Sequence, residues 1–155
     1  MKLTDLKEEI EIEIELIETT IKELLALYRD VSGRSPTVRE KTAAAAFLAQ
    51  FYGGVENILK RICKFYGVPV PTCDTWHMDL FKQFCEPPKL PLPCLFDWKI
   101  FDSFAPYRKF RHVVYHGYGV QLDWERMQQG IEGIEYLFNQ FKSIIYSYLQ
   151  LLESH

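Results

Sequence analysis

The chain has 155 residues, 48% of them hydrophobic and 15% aromatic, and its formal net charge is −3. This length fits one domain, and so high an apolar share excludes an intrinsically disordered chain, which combines low hydrophobicity with high net charge. The acidic total argues against DNA binding, and no apolar run is long enough to span a bilayer. Because the N-terminus also carries no secretory signal, we expect one cytoplasmic domain covering residues 1–155.

The first predicted element is a long amphipathic helix. Residues 11–15 alternate glutamate and isoleucine as a strand would. Over a longer window, however, apolar residues recur every three or four positions, which is the period of a helix. This stripe consists of Leu3, Leu6, Ile10, Ile14, Ile17, Ile21, Leu24 and Tyr28. It predicts about seven helical turns that end at Gly33 and Pro36.

A second helix is predicted from about Val38 to Tyr66, where Gly67 ends it. Its interior contains the pair Gly53-Gly54. Each glycine costs roughly 1 kcal/mol relative to alanine inside a helix, so the pair indicates close packing against another helix.

The irregular part of the chain is the stretch 68–95, which contains six prolines and excludes long regular structure. One short helix is predicted within it, from about Asp74 to Cys85. We expect this stretch to be a connection that folds over the helices rather than a boundary between two domains.

The four cysteines are well separated along the chain and include no C-x-x-C pair. Because zinc sites usually draw ligands from such close pairs, the sequence predicts reduced thiols and neither a metal site nor a cofactor.

Two further helices complete the predicted fold. The first runs from about Leu95 to His116, kinked or restarted at Pro106, and Gly117 ends it. Asp123 can cap the last helix, whose apolar stripe continues to Leu152. Four long helices and one short one predict an all-α, up-and-down bundle.

The fourth predicted helix is locally basic although the chain is acidic. Residues 99–112 contain Lys99, Arg108, Lys109, Arg111 and His112 against only Asp102. A local basic patch of this kind can bind phosphate even when the total charge is negative.

The end of that helix carries side chains that can take part in catalysis. Arg111, His116 and Tyr118 form the pattern R-x-x-x-x-H-x-Y. Five steps along a helix place the Arg111 and His116 side chains roughly 140° apart. They can converge if the helix unwinds at Gly117, or if a second copy of the motif faces the first.

This pattern late in a helical bundle resembles the HEPN superfamily, and in particular HepT-type toxins. Three further segments carry the resemblance: residues 51–59 (FYGGVENIL), Trp76-His77 with Leu80, and residues 110–114 (FRHVV). The proline-rich stretch 68–95 is less typical of the family. We expect Trp76 and His77 to be packing residues that hold the short helix in place.

The resemblance implies a homodimer in which two facing motifs form one composite cleft. It also implies metal-independent endoribonuclease activity, with RNA as the substrate. The implied partner is a small nucleotidyltransferase antitoxin of the MNT type, which silences the toxin by adding AMP to the motif tyrosine, here Tyr118.

The residue types fit this chemistry on their own terms. Metal-free RNA cleavage needs a base for the 2′-hydroxyl proton and a cation for the phosphorane. Histidine is the commonest general base in enzymes, so His116 is the natural base, whereas Arg111 offers a planar fork of donors to phosphate oxygens. An adenylylated Tyr118 would be a bulky anion occupying the phosphate site.

Other interpretations remain open. Arg111 could be a helix-end arginine that only pairs with a carboxylate such as Glu56, and Glu56 could orient Arg111 or be solvated or paired elsewhere. His112 could support the site or be merely exposed. The whole chain could be a catalytically idle HEPN dimer that binds or presents a substrate to a nucleotidyltransferase, or a purely structural helical dimer.

Overall fold

The computed structural model describes residues 1–117 and 122–155, and within these ranges the chain forms five α-helices and no β-strand. The helices are α1 Leu3–Asp30, α2 Val38–Phe65, α3 Trp76–Lys82, α4 Trp98–Tyr115 and α5 Trp124–Glu153. This arrangement confirms the predicted all-α bundle of four long helices and one short helix. None of the helices in the described ranges is long and apolar enough to cross a membrane.

Helix α1 buries the predicted stripe and leaves most of its glutamates in solvent. The six residues from Leu6 to Leu24 in this stripe are all at most 6% exposed. The helical period therefore prevails over the local alternation of residues 11–15, because only a helix places these residues on one face.

Helix α2 begins at a capping box. The Thr37 hydroxyl accepts a hydrogen bond from the backbone N–H of Glu40 (3.2 Å), and the Glu40 carboxylate accepts one from the N–H of Thr37 (2.8 Å). Arg34 approaches the same carboxylate to 2.6 Å, and together these bonds lower the pKa of Glu40 to about 2.

The two glycines inside α2 make room for different neighbours. A Cβ on Gly54 would lie 2.4 Å from Cγ1 of Ile17, so at this position α1 and α2 pack as closely as the glycine pair predicts. A Cβ on Gly53 would instead lie 3.7 Å from Nε of Arg111 on α4.

The connection between α2 and α4 packs onto the core through its apolar side chains. Phe81 is fully buried, with its ring centroid 4.8 Å from that of Phe96 and 5.2 Å from that of Phe104 on α4. The short helix is shorter than predicted, covering Trp76–Lys82 instead of Asp74–Cys85. All four cysteines are free: Cys63 and Cys85 are buried, and Cys73 and Cys94 are exposed.

Helix α4 runs unbroken through Pro106, so the predicted restart does not occur. Pro106 lies on the solvent side, where water can satisfy the backbone carbonyl that loses its helical donor. Asp97 caps the N-terminus of α4 by accepting a hydrogen bond from Ile100 N (2.8 Å). Asp123 caps α5 as predicted, accepting one from Glu125 N (3.0 Å).

Candidate active site

The predicted motif lies at the C-terminal end of α4. His112 belongs to the last turn, Arg111 directly precedes it, and His116 is the residue that caps the helix. Gly117 follows with a φ of +81°, a left-handed conformation that ends the helix and favours glycine. Tyr118 lies outside the described residues.

Arg111 turns toward α2, where it meets a buried carboxylate. The Glu56 side chain is only 1% exposed, and its Oε1 lies 2.8 Å from Nε of Arg111, which is 15% exposed. The N–H of Nε is not directed along this line, so the contact is an ion pair rather than a well-aligned hydrogen bond. Glu56 is therefore a buried partner of Arg111 and not a solvated carboxylate.

Glu56 has a second partner, His77 of α3. The ring Nδ1 of His77 contacts Oε2 of Glu56, so the two carboxylate oxygens face two different helices. The ring of Trp76 packs against His77 with centroids 3.6 Å apart, and Nζ of Lys60 lies 4.5 Å from the centroid of the Trp76 ring. His77 thus pairs with the carboxylate that also contacts Arg111, so the expectation that it only packs is wrong.

A buried tyrosine lies one turn before Glu56 on α2. Tyr52 is fully buried, and burial raises the pKa of its hydroxyl to about 12 although Arg108 and Arg111 act in the opposite direction. Two arginines of α4 therefore lie close to the α2 face that contains Tyr52 and Glu56.

His116 is oriented by the backbone of its own helix. Its Nδ1 lies 2.8 Å from the carbonyl oxygen of His112. Because a carbonyl oxygen can only accept, Nδ1 donates the proton, and Nε2 of the neutral ring keeps the free lone pair. The rings of the two histidines also contact each other, with centroids 4.0 Å apart. The structure therefore places His112 beside His116.

The structure does not join Arg111 to His116 within one chain. In the described part of the chain no hydrogen bond links their side chains, since Arg111 turns to α2 and His116 stays at the helix end. The ring of Tyr115 lies beside Arg111, with its centroid 4.1 Å from Cζ, and this tyrosine is 70% exposed. The described residues include no group of three or more potential ligands that could hold a metal ion.

Residues 43–152, from the first turns of α2 to the end of α5, match a family model described as HepT-like protein. The match includes all the site residues described above. Comparisons with curated proteins and with solved structures gave no match.

Proposed function

The chain belongs to the HepT-like protein family, and we propose that it is a metal-independent endoribonuclease toxin that cleaves RNA with His116 and Arg111. Family membership supports the general class, a toxin of the HEPN type with ribonuclease activity. The observation that carries the specific proposal is the helix end, where a buried carboxylate holds Arg111 and no hydrogen bond within the described residues engages Nε2 of His116.

In the proposed reaction, Nε2 of His116 takes the proton of a ribose 2′-hydroxyl. The 2′-oxygen attacks the adjacent phosphorus, the bond from phosphorus to the 5′-oxygen breaks, and a 2′,3′-cyclic phosphate forms. The leaving 5′-oxygen takes a proton from an imidazolium or from water. A well-placed general base of this kind contributes roughly 10²–10⁴-fold to the rate.

Arg111 binds the phosphate in this proposal. Glu56 approaches its Nε, and no hydrogen bond within the described residues engages Nη1 or Nη2. These two groups can therefore donate in parallel to two phosphate oxygens, and their donors stabilise the charge of the phosphorane. Glu56 and His112 support the site by orienting Arg111 and His116 respectively.

We further propose that the active form is a homodimer with one composite cleft. Arg111 and His116 point in different directions within one chain, and a second copy facing the first would place one copy's imidazole opposite the other copy's guanidinium. The partner would be an MNT-type nucleotidyltransferase antitoxin that adds AMP to Tyr118. The added phosphodiester would be an anion only seven residues from Arg111 in the sequence, and we propose that it competes with RNA for this arginine.

The test is cleavage of total cellular RNA in EDTA by purified protein, with the intact mass checked so that Tyr118 is unmodified. His116→Ala and Arg111→Lys should abolish or strongly reduce cleavage, while His155→Ala, at the exposed C-terminus, should leave it unchanged. Arg111→Lys keeps the positive charge beside Glu56, so its loss of activity would report the planar fork rather than unfolding. Cleavage that survives His116→Ala would refute the proposed base.

One observation favours the second candidate function, a catalytically idle HEPN dimer that presents Tyr118 to a nucleotidyltransferase. Arg111 is already paired with Glu56, which is also what a purely structural arginine would do. Unmodified, dimeric wild-type protein that leaves RNA intact but accepts AMP from its partner would identify this function.

A further inference from the structure

Three cations near the Glu56–Arg111 pair lie over aromatic rings. Nζ of Lys60 is 4.5 Å from the centroid of Trp76, Nζ of Lys82 is 5.9 Å from that of Phe101, and Cζ of Arg108 is 5.0 Å from that of Phe101. None of the three forms an ion pair with any residue in the described ranges.

Contacts connect these cations to the candidate active site. Arg108 shares the Phe101 ring with Lys82, and it lies one turn before Arg111 on α4. Both arginines lie close enough to the buried Tyr52 hydroxyl to lower its pKa. On the other side of Glu56, His77 and Trp76 lead to Lys60. We call Lys60, Lys82, Arg108 and Arg111 the cationic strip.

The strip is positively charged although the whole chain carries −3. Glu56, the carboxylate that Arg111 contacts, is buried, and Oδ2 of Asp79, three residues before Lys82, accepts hydrogen bonds from Cys73 and Thr75. A cation seated on an aromatic ring keeps its charge, so the strip is complementary to a chain of phosphates even though Nη1 of Arg108 is buried.

An exposed aromatic ring lies at one end of the strip. Tyr115 is 70% exposed; Arg111 covers one face of its ring, which leaves the other face to solvent. Helix geometry places Arg108 and Tyr115, seven residues apart, within about 20° of the same face of α4. Single-stranded nucleic acid is bound in this way, with cations along the backbone and bases stacked on aromatic rings.

We propose that the cationic strip and Tyr115 bind single-stranded RNA. This inference rests on the proposed function, because it takes Arg111 as the ligand of the scissile phosphate. Arg108 and Lys82 hold phosphates on one side of that position, Lys60 holds one on the other, and a base stacks on the open face of Tyr115. An acidic segment of a partner protein would also match the charges of the strip, but it would have no base to stack on the exposed ring of Tyr115.

The test measures binding without cleavage, using full-length protein with His116→Ala and a short labelled oligouridylate. Fluorescence anisotropy is recorded over a series of salt concentrations, with an RNA duplex of the same length as the competitor. Lys82→Gln and Arg108→Gln should each weaken binding and lower the slope of log K against log salt by about 0.7. Lys22→Gln, an exposed lysine of α1, is the matched control and should bind as the parent does.

Two substitutions of Tyr115 test whether a base stacks on its ring. Tyr115→Ala should weaken binding about five- to a hundredfold, whereas Tyr115→Phe, which keeps the ring, should bind like the parent. Circular dichroism excludes unfolding, and Arg108→Lys should restore most of the binding lost in Arg108→Gln if charge is what matters. Equal binding by the duplex and the single strand, or unchanged binding by both charge variants, would overturn the inference.

The outcomes separate this inference from the proposed function. If the wild-type protein cuts RNA and the strip variants bind and cut RNA equally well, the RNA-binding role of the strip is refuted and the proposed nuclease function stands. If the wild-type protein never cuts RNA but binds it in a way that depends on the strip, the proposed nuclease function is refuted and the RNA-binding role of the strip stands. Strip variants that lose the nucleotidyltransferase but bind RNA normally would show a protein-docking surface and refute the inference.

Discussion

Replacing Glu56 by glutamine tests whether the buried carboxylate holds Arg111 in place. The change keeps the size of the side chain but removes the one negative charge that Arg111 contacts within the described ranges, at a position only 1% exposed. Removing one partner of a buried ion pair costs about 3–5 kcal/mol. Because Arg111 is 15% exposed, water screens its charge in part, and we expect a cost somewhat below this range, about 2–3 kcal/mol.

The assay is urea denaturation followed by circular dichroism, in the absence of RNA. For a chain of this length the expected loss corresponds to a Tm about 5–10 °C lower. Glu15→Gln, an exposed glutamate on α1, is the matched control and should change the free energy of unfolding by less than about 0.5 kcal/mol.

A double-mutant cycle with Arg111→Gln isolates the pair itself. Once Arg111 is neutral, the loss of the Glu56 charge should cost less, so the double variant should be more stable than the sum of the single effects by about 1–3 kcal/mol. Additive effects, or a Glu56→Gln protein as stable as wild type, would refute the reasoning that the pair is a desolvated interaction.

Two further predictions concern the scaffold. Gly54→Ala should destabilise the fold by about 1–3 kcal/mol, because its Cβ would clash with Ile17. Gly133→Ala should instead stabilise α5 by up to about 1 kcal/mol, because its Cβ would meet its nearest neighbour at an ordinary 3.6 Å. Thermal denaturation of the two variants measures the difference, and equal Tm shifts would contradict it. Glu40, whose pKa is lowered from 4.5 to about 2 chiefly by Arg34, contributes stability that is present above pH 4.5 and is lost as the pH falls toward 2. Glu40→Gln should therefore lose less stability than wild type across this range in denaturant titrations, and parallel acid curves would count against the assignment.

The helices could be predicted from the sequence because their information is local. The stripe from Leu6 to Leu24, the cap at Asp123 and the stops at Gly33 and Gly117 each depend on neighbours within a few residues. Prediction failed where local rules compete with packing. Pro106 suggests a break, yet a solvent-facing position allows α4 to continue through it.

The residues of the site could be named from the sequence, but their contacts could not. Glu56 and Arg111 were both candidates, and nothing in their spacing decided between pairing and solvation. His77 is 21 residues from Glu56 along the chain, and only the docking of α3 onto α2 brings them together. In the sequence, the pair Trp76-His77 indicates only that the short helix packs against its neighbours, and it does not reveal the contact between His77 and Glu56.

Glu56 lies on α2 and contacts side chains of α3 and α4, and these contacts restrict the conformations that Arg111 can adopt. A lone arginine at a helix end samples many rotamers, and part of the energy of binding a phosphate would be spent on ordering it. Here Glu56 holds the Nε edge, and His77 in turn holds Glu56 from a helix that belongs to the proline-rich connection. In the proposed function, these contacts restrict the guanidinium before a phosphate binds, as electrostatic catalysis requires. The connection thus helps to position Arg111, because without α3 the carboxylate would lose its second partner and the guanidinium its fixed direction.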